Sequence, residues 1–418
     1  MLFEKIITEI KSRKKIIFAI LLLVSIFLLF SKTCAYCGGS AYIFRFLAVP
    51  VMEPCFADLR TITGGAESRK LGFDPMVKNP GDPWNRVMNY PRIWQSLYLF
   101  GVDESDTVPM GIMFVSLFLF GICLILPNAP NSAVLAVILA LLSPAVLLGI
   151  ERGNTDLFMF FLVALFVFLV NKNKYCFSSF VILIASFLKL FPIFAAVSLL
   201  RAEKKIFLRL FCIVSVAFAV YLFLTFSDLL LISKGTLKSI SLSFGKDVAW
   251  KKAFEINESL GAFVKYFSYL ALSISAILAV LLLFRKSSPV KFEESLNLDC
   301  FRAGAMTYIG TFLLGSNFIY RLIFLIFVIP QLLVWMQSLS GKMKYLSVFT
   351  LFSVFWSLEA PMIAKIVRHT LTFSQEFNAL FSFFDEVFAW FLFVLLLFFI
   401  CSDIGTRVRK DWKINSQV

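Results

Sequence analysis

About ten apolar runs divide this chain, at 15–31, 108–126, 132–150, 156–170, 205–227, 262–284, 303–316, 319–338, 345–363 and 384–402. Most approach the roughly 20 residues whose helical rise spans about 30 Å of hydrocarbon. Hydrocarbon offers backbone amides no partner, so a run that crosses it must close its own hydrogen bonds as a helix. A soluble fold of 418 residues would also need a polar shell, and here 60% of residues are hydrophobic and only 16% charged. The runs predict an all-α membrane protein, a polytopic helical bundle in which residues 1–418 form one domain.

Charge placement narrows the reading. A net charge of +14 suits nucleic acid in principle, but Lys and Arg cluster in short loops between apolar runs, as topology determinants do. No nucleic-acid role is therefore expected, and anionic membrane lipids or phosphate-bearing lipid substrates are the partners a basic balance favours. The first run, Ile16–Phe30, follows a basic start but lacks a small-residue cleavage site, so it reads as a retained helix rather than a signal peptide. Cys123, Cys176, Cys212, Cys300 and Cys401 read as buried apolar residues. Cys34, Cys37 and Cys55 fall in the first loop, where an oxidising compartment would permit one disulfide.

The segment 176–200 is long enough to cross once, yet Lys189 lies near its middle and Pro192 follows. With the basic N-terminus cytoplasmic, a single crossing would put Arg201–Arg209, Arg285–Lys291, Lys342–Lys344 and Arg407–Lys413 outside. A segment that enters, breaks near Lys189–Pro192 and returns puts all of them inside, which the positive-inside rule prefers. Residues 176–200 are thus expected to be a broken, re-entrant helix pair with Lys189 facing a cavity, and both termini cytoplasmic. This topology makes 32–107 a long first extracytoplasmic loop, on the same side as the 151–155 turn and the loops 228–261 and 364–383.

The first loop carries Asp58, Asp74 and Asp82 with Arg60, Arg86 and Arg92, and Trp84, Asn89, Tyr90 and Trp94 interleave with Asp-Pro and Asn-Pro turns. Gly64-Gly65 reads as a further turn. Aromatic rings beside carboxylates and amides suit sugars, and they also suit simple anchoring at headgroup level. Asp58 reads either as a general base toward an acceptor hydroxyl or as the ion-pair partner of Arg60 or another loop arginine. In the outer turn, Glu151, Arg152 and Asn154 are expected to organise a substrate site, with Asp156 as a helix N-cap. Lys189 and Arg321, with Tyr320 beside it, suit a lipid phosphate, and snorkelling is the alternative for Arg321. His369 is the only histidine, so a His-rich metal site is not expected. Motifs for phosphate-loop ATPases, dinucleotide folds and zincins do not occur.

One helix, a long outer loop with an early Asp, the Arg152-Gly153-Asn154 turn, the Lys189-Leu-Phe-Pro192 break and Asn257-x-Ser259-Leu260 follow each other in order. This pattern resembles the GT-C superfamily of integral membrane glycosyltransferases, most closely glycosyltransferase family 87, the polyprenol-phosphate-mannose-dependent mannosyltransferase type. The resemblance covers most of the chain and rests on short motifs. It implies an inverting hexose transfer, with mannose as the family's sugar, from a polyprenyl-phosphate-sugar donor to a glycan or glycolipid acceptor at the extracytoplasmic face of a bacterial inner membrane. Asp58 matches the family's catalytic base. Many members place that Asp closer to the first helix and lack the 74–94 stretch, which leaves Asp74 and Asp82 as substitutes. Lys189, Tyr320 and Arg321 would hold the lipid phosphate. Arg60, Trp84, Arg86, Asn89, Tyr90, Arg92, Glu151, Arg152, Asn154, Asp156, Asn257 and Ser259 would line the substrate site. The scheme requires no cofactor, and a divalent metal is compatible with it.

Two other functions fit parts of the sequence. A lipid-linked sugar flippase or transporter would be expected to show a second, matching half with its own broken helix, and none is found. An O-antigen-type polymerase would be expected to carry its large loop late in the chain, whereas here it comes first.

Overall fold

The computed structural model describes residues 41–237, 239–285, 292–370 and 375–413. The expected first span 15–31, with Cys34 and Cys37, lies outside them, as does the His369 side chain. The fold is mostly helical: after the short α1 (Ala41–Phe46) and α2 (Ala57–Lys70), helices run up and down between two ends. One two-residue strand pair, β1 (Ser243–Phe244) against β2 (Asn317–Phe318), is antiparallel.

Six helices among the described residues are long and apolar enough to cross a membrane. They are α3 (Thr107–Ile125), α8 (Lys204–Leu224), α11 (Glu258–Phe284), the Ile319–Ser338 run, α14 (Gly341–Thr370) and α15 (Gln375–Lys413). The chain is therefore a multi-pass membrane protein. The expected run 132–150 is instead two helices, α4 (Asn131–Leu141) and α5 (Pro144–Arg152), bent by 57°. The Ser143 hydroxyl accepts from Val146 N and Pro144 opens α5, so the local sequence starts a new helix where apolar content alone suggests one. The run 156–170 is α6 (Asp156–Asn171), whose 16 residues rise only about 24 Å.

The run 303–316 differs more. Its helix, α12, spans Leu296–Leu313 and takes in two charges, Asp299 and Arg302, both fully buried. Arg302 meets Asp403 at 2.6 Å, Glu294 at 2.9 Å and Asp299 at 3.3 Å, and Asp299 also takes Arg201 at 2.6 Å. Buried charges survive only when paired and hydrogen-bonded, and this cluster pairs them across α12, α15 and the 201 turn.

The broken segment is α7 (Tyr175–Leu188) followed by a 3-10 helix, Phe191–Arg201, with Lys189 extended between them. Asn171, which closes α6 just before α7, accepts from Arg201 Nη1 at 3.2 Å, and Arg201, at the end of the 3-10 helix, bonds Asp299, so the chain returns to the end it left. A helix broken inside a bundle exposes carbonyls. Trp94 Nε1 caps Leu188 O at 2.9 Å and the Tyr221 hydroxyl caps Phe187 O at 3.0 Å. Lys172, Lys174, Arg201, Lys204, Lys205, Arg285, Lys342 and Lys344 all fall at turns of the Asp299 end. The 41–107 region and the 226–256 region cover the opposite end, at Lys189.

Gly64 and Gly65 are not a turn. They lie mid-way in α2, where a Cβ on Gly64 would stand 2.2 Å from Gly81 O. Gly64 lets the 79–82 turn pack directly on the helix backbone, Gly65 faces the Met88 side chain, and these contacts, rather than chain reversal, explain them. If α7 and the 3-10 helix form such a hairpin, single cysteines at Lys172→Cys and Glu203→Cys should react with an impermeant maleimide from the same side of sealed vesicles. Labelling from opposite sides would refute the hairpin.

Candidate functional site

The site end is organised by the turn between α5 and α6. Gly153 closes α5 in the left-handed region (φ 58°), and a Cβ there would meet the Phe56 Cβ at 2.8 Å. Asn154 follows. Its Oδ1 accepts from Asp156 N at 2.9 Å, so Asn154 caps α6 and frees the Asp156 carboxylate, which was the expected cap. Asp156 is 1% exposed and takes both expected phosphate ligands: Lys189 Nζ bridges its Oδ1, and Arg321 Nε reaches its Oδ2 at 3.2 Å. Lys189 also donates to Thr155 Oγ1 (2.8 Å) and Asn154 Oδ1 (3.1 Å). Lys189 thus spends two of its three donors on these oxygens and sets its charge against Asp156. Arg321 further bonds Asn317 and lies 4.6 Å over the Phe191 ring.

Asp58 sits in the first turn of α2, at the edge of this group. Asn154 Nδ2 donates to its Oδ2 at 2.6 Å, while its Oδ1 has Arg86 only at 3.9 Å, beyond hydrogen bonding. The side chain keeps 20% of its exposure. Burial lifts the Asp58 carboxyl above its ordinary value, against the Asn154 hydrogen bond and the fields of Arg152, Arg86 and Lys189. Tyr90 is buried beside Thr155, with Lys189 5.2 Å over its ring, and the Tyr320 hydroxyl lies beside Asn154 and Asp58. Burial also pushes the Tyr90 phenol well up, so it stays a neutral hydrogen-bonding group.

The other expected residues have separate work. Asp82, 1% exposed, accepts from Thr61, from Trp84 N and from Arg86, and fixes the 79–86 turn. Trp84 stacks under the Arg86 guanidinium at 4.5 Å. Asp74 and Asp228 flank Arg92 at 3.2 and 3.0 Å, which ties the first loop to α9 (Phe226–Gly235), and Asn89 packs near Gly235 at the same seam. Arg60 pairs with Glu104 at 2.6 Å rather than with Asp58. Glu151 accepts from Met52 N at 2.8 Å and anchors the 50–56 segment. Arg152 pairs with Glu151 at 3.2 Å and donates to Pro50 O, and its buried Nη1 has no hydrogen-bond partner.

Asn257 and Ser259 are exposed, and Asn257 spends its side chain capping α11 through Leu260 N. The structure does not bring them to the Asp58–Asp156 group. Thr155, a Lys189 partner, was missed by the sequence reading, although it stands inside the turn that reading singled out. Among the described residues no group of three or more His, Cys, Asp or Glu is placed to hold a metal ion. Comparison with protein-family models, characterised proteins and solved structures finds no match.

Asp156→Asn would leave two partly buried cations without their buried carboxylate. A loss of about 3–5 kcal/mol is expected, the usual cost of orphaning one side of a buried ion pair. Thermal unfolding of the purified protein measures it, and an unshifted midpoint would show that the three charges do not hold the site.

Proposed function

We propose that this chain is a membrane hexosyltransferase of GT-C type. It moves a hexose, mannose in the family it resembles, from a polyprenyl-phosphate donor to a glycan or glycolipid acceptor at the extracytoplasmic face. In this reading an acceptor hydroxyl attacks the anomeric carbon, its proton passes to Asp58, and the bond from that carbon to the phosphate oxygen breaks with inversion. The lipid monophosphate leaves with the electron pair.

The observation that carries the reading is the state of the Asp58 carboxylate. One oxygen is gripped by Asn154, which fixes orientation, and the other is open, unbonded and partly solvated. A buried carboxylate with one free edge, raised in basicity yet surrounded by cations, is what a general base near neutral pH requires. Asp74 and Asp82 lack that edge, since both are engaged by arginines and backbone amides.

The phosphate ligands are redistributed. Lys189 spends two donors on Thr155 and Asn154 and faces Asp156, so its main contribution would be charge. Lys189, Arg321 and Asp156 together carry one net positive charge. Direct hydrogen bonds to the departing phosphate fall to Arg152, through its unpartnered Nη1, and to the remaining donors of Arg321.

Asp58→Asn is expected to cut transfer from a polyprenyl-phosphate hexose by about 10²–10⁴-fold, the usual share of a general base, with donor binding retained. Full activity would sink the base assignment. The active form is the ionised carboxylate, so kcat/KM should rise with pH, and burial should put the midpoint of that acid limb above the ordinary value of about 3.9. A limb at or below that value contradicts the assignment.

A further inference from the structure

A cavity of about 810 Å³ opens beside the Asp58–Asp156 group and shares none of its charged residues. It lies within the roughly 300–1,000 Å³ range of small-molecule sites. Its walls come from the 239–244 segment, α10 (Val248–Ile256), the outer part of α14 and the start of the described α15 side chains. One 3-10 turn separates it from Asp156. Ile319 and Leu322 line the cavity, while Tyr320 and Arg321 face Asn154 and Asp156. Three residues per turn put i and i+3 on one side, so a single turn stands between the cavity and the Asp156 group.

The cavity holds unspent polar capacity. Glu386 is 2% exposed, and its Oε1 takes Lys252 at 2.7 Å while Oε2 has no hydrogen-bond partner among the described residues. Ser357 Oγ is likewise unpartnered. An unmet buried carboxylate oxygen is costly, so the natural occupant is one that donates hydrogen bonds to it. An acyl chain would leave that cost standing. A phosphate is repelled, because Glu386, Asp385 and Glu255 outnumber Lys252 and Lys365 along the lining. Lys252 already supplies the positive charge that Glu386 needs, so a neutral donor completes the pair. Phe244 on the lining segment and the ring of Trp356, held by Asp385 at 3.1 Å, add aromatic surface beside these groups.

We infer that this cavity binds a neutral saccharide, with Glu386 Oε2 and Ser357 Oγ bonding its hydroxyls and the aromatic rings packing against its sugar faces. That the saccharide belongs to the acceptor rests on the transferase reading; that the cavity binds sugar does not.

The test uses the full chain in lipid nanodiscs, titrated with mannotriose, maltotriose and chitotriose and followed by tryptophan emission. Trp356→Phe assigns the response to the cavity. At least one trisaccharide should bind saturably, and Glu386→Gln and Ser357→Ala should each weaken it by about tenfold, the scale of one lost buried hydrogen bond. Should Glu386→Gln fail to fold, Ser357→Ala and Glu255→Gln carry the comparison. No saturable response to any trisaccharide, or a response to spermidine that the sugars do not share, overturns the inference. Saturable sugar binding by a wild-type protein without transfer activity would refute the transferase and leave the cavity assignment standing. Transfer by a protein that binds none of the sugars would do the reverse.

Discussion

Asp156 is a carboxylate with almost no access to water, and the architecture of the site end follows from keeping it ionised. Desolvation alone would favour the neutral acid, so the carboxylate requires cations on both oxygens. Lys189 supplies one and Arg321 the other, from two different breaks in helical structure. The first break separates α7 from the 3-10 helix, and the second is the turn that opens the Ile319–Ser338 run. Asn154 sits at the meeting point of these constraints. It caps α6, takes a bond from Lys189 and orients Asp58, so the scaffold charge and the candidate base share one amide.

The two ends of the bundle use buried charge differently. At the Asp299 end, Arg302 is enclosed by three carboxylates and bonded to them through Nε, Nη1 and Nη2, and Arg201 completes Asp299. That cluster is closed on itself, as expected of a clamp between α12 and α15. At the site end, capacity is left over: the free edge of Asp58, Arg152 Nη1 and, across one turn, Glu386 Oε2. Unspent hydrogen bonding in a buried place has a cost, and native structures leave few such groups. At the site end the unpaired groups include charged ones, Arg152 Nη1 and Glu386 Oε2, whereas beside Asp299 and Asp403 they are the neutral Asn297 Oδ1 and Ser402 Oγ, and it is the unpaired charge that marks a place suited to a ligand.

What could be read from sequence follows the same division. Apolar length is a one-dimensional property, and six of the expected runs are found as long helices. The polar interruption at Lys189–Pro192 is equally local, and the chain does break there. Position relative to distant partners is not local. Gly64-Gly65 has the composition of a turn, but the close approach of Gly81, remote in sequence terms from any helix signal, makes it the middle of α2. The apolar run 303–316 stops short of Asp299 and Arg302, whose partners Arg201 and Asp403 lie about a hundred residues away in sequence. Asn257 has the right residue type near a helix start, and capping accounts for it.

The three loop aspartates show why residue type alone could not choose among them. All are acidic, all stand near arginines, and two introduce Pro-containing turns. A carboxylate that accepts from successive backbone amides, as Asp82 does from Trp84 and Arg86, has its oxygens spent on the turn and keeps no edge for a substrate proton. Asp74 is committed to Met76 N and Arg92 in the same way. Asp58 precedes the turns and stands in the first turn of a helix whose N-terminus is packed against the Glu151–Gly153 segment, so its neighbours come from α5 and α6 rather than from its own loop. Its single firm bond is to the amide of Asn154, a neutral donor, and the nearest cation stays at 3.9 Å. Orientation without neutralisation separates a usable base from a structural carboxylate, and it arises only where the loop meets the membrane helices.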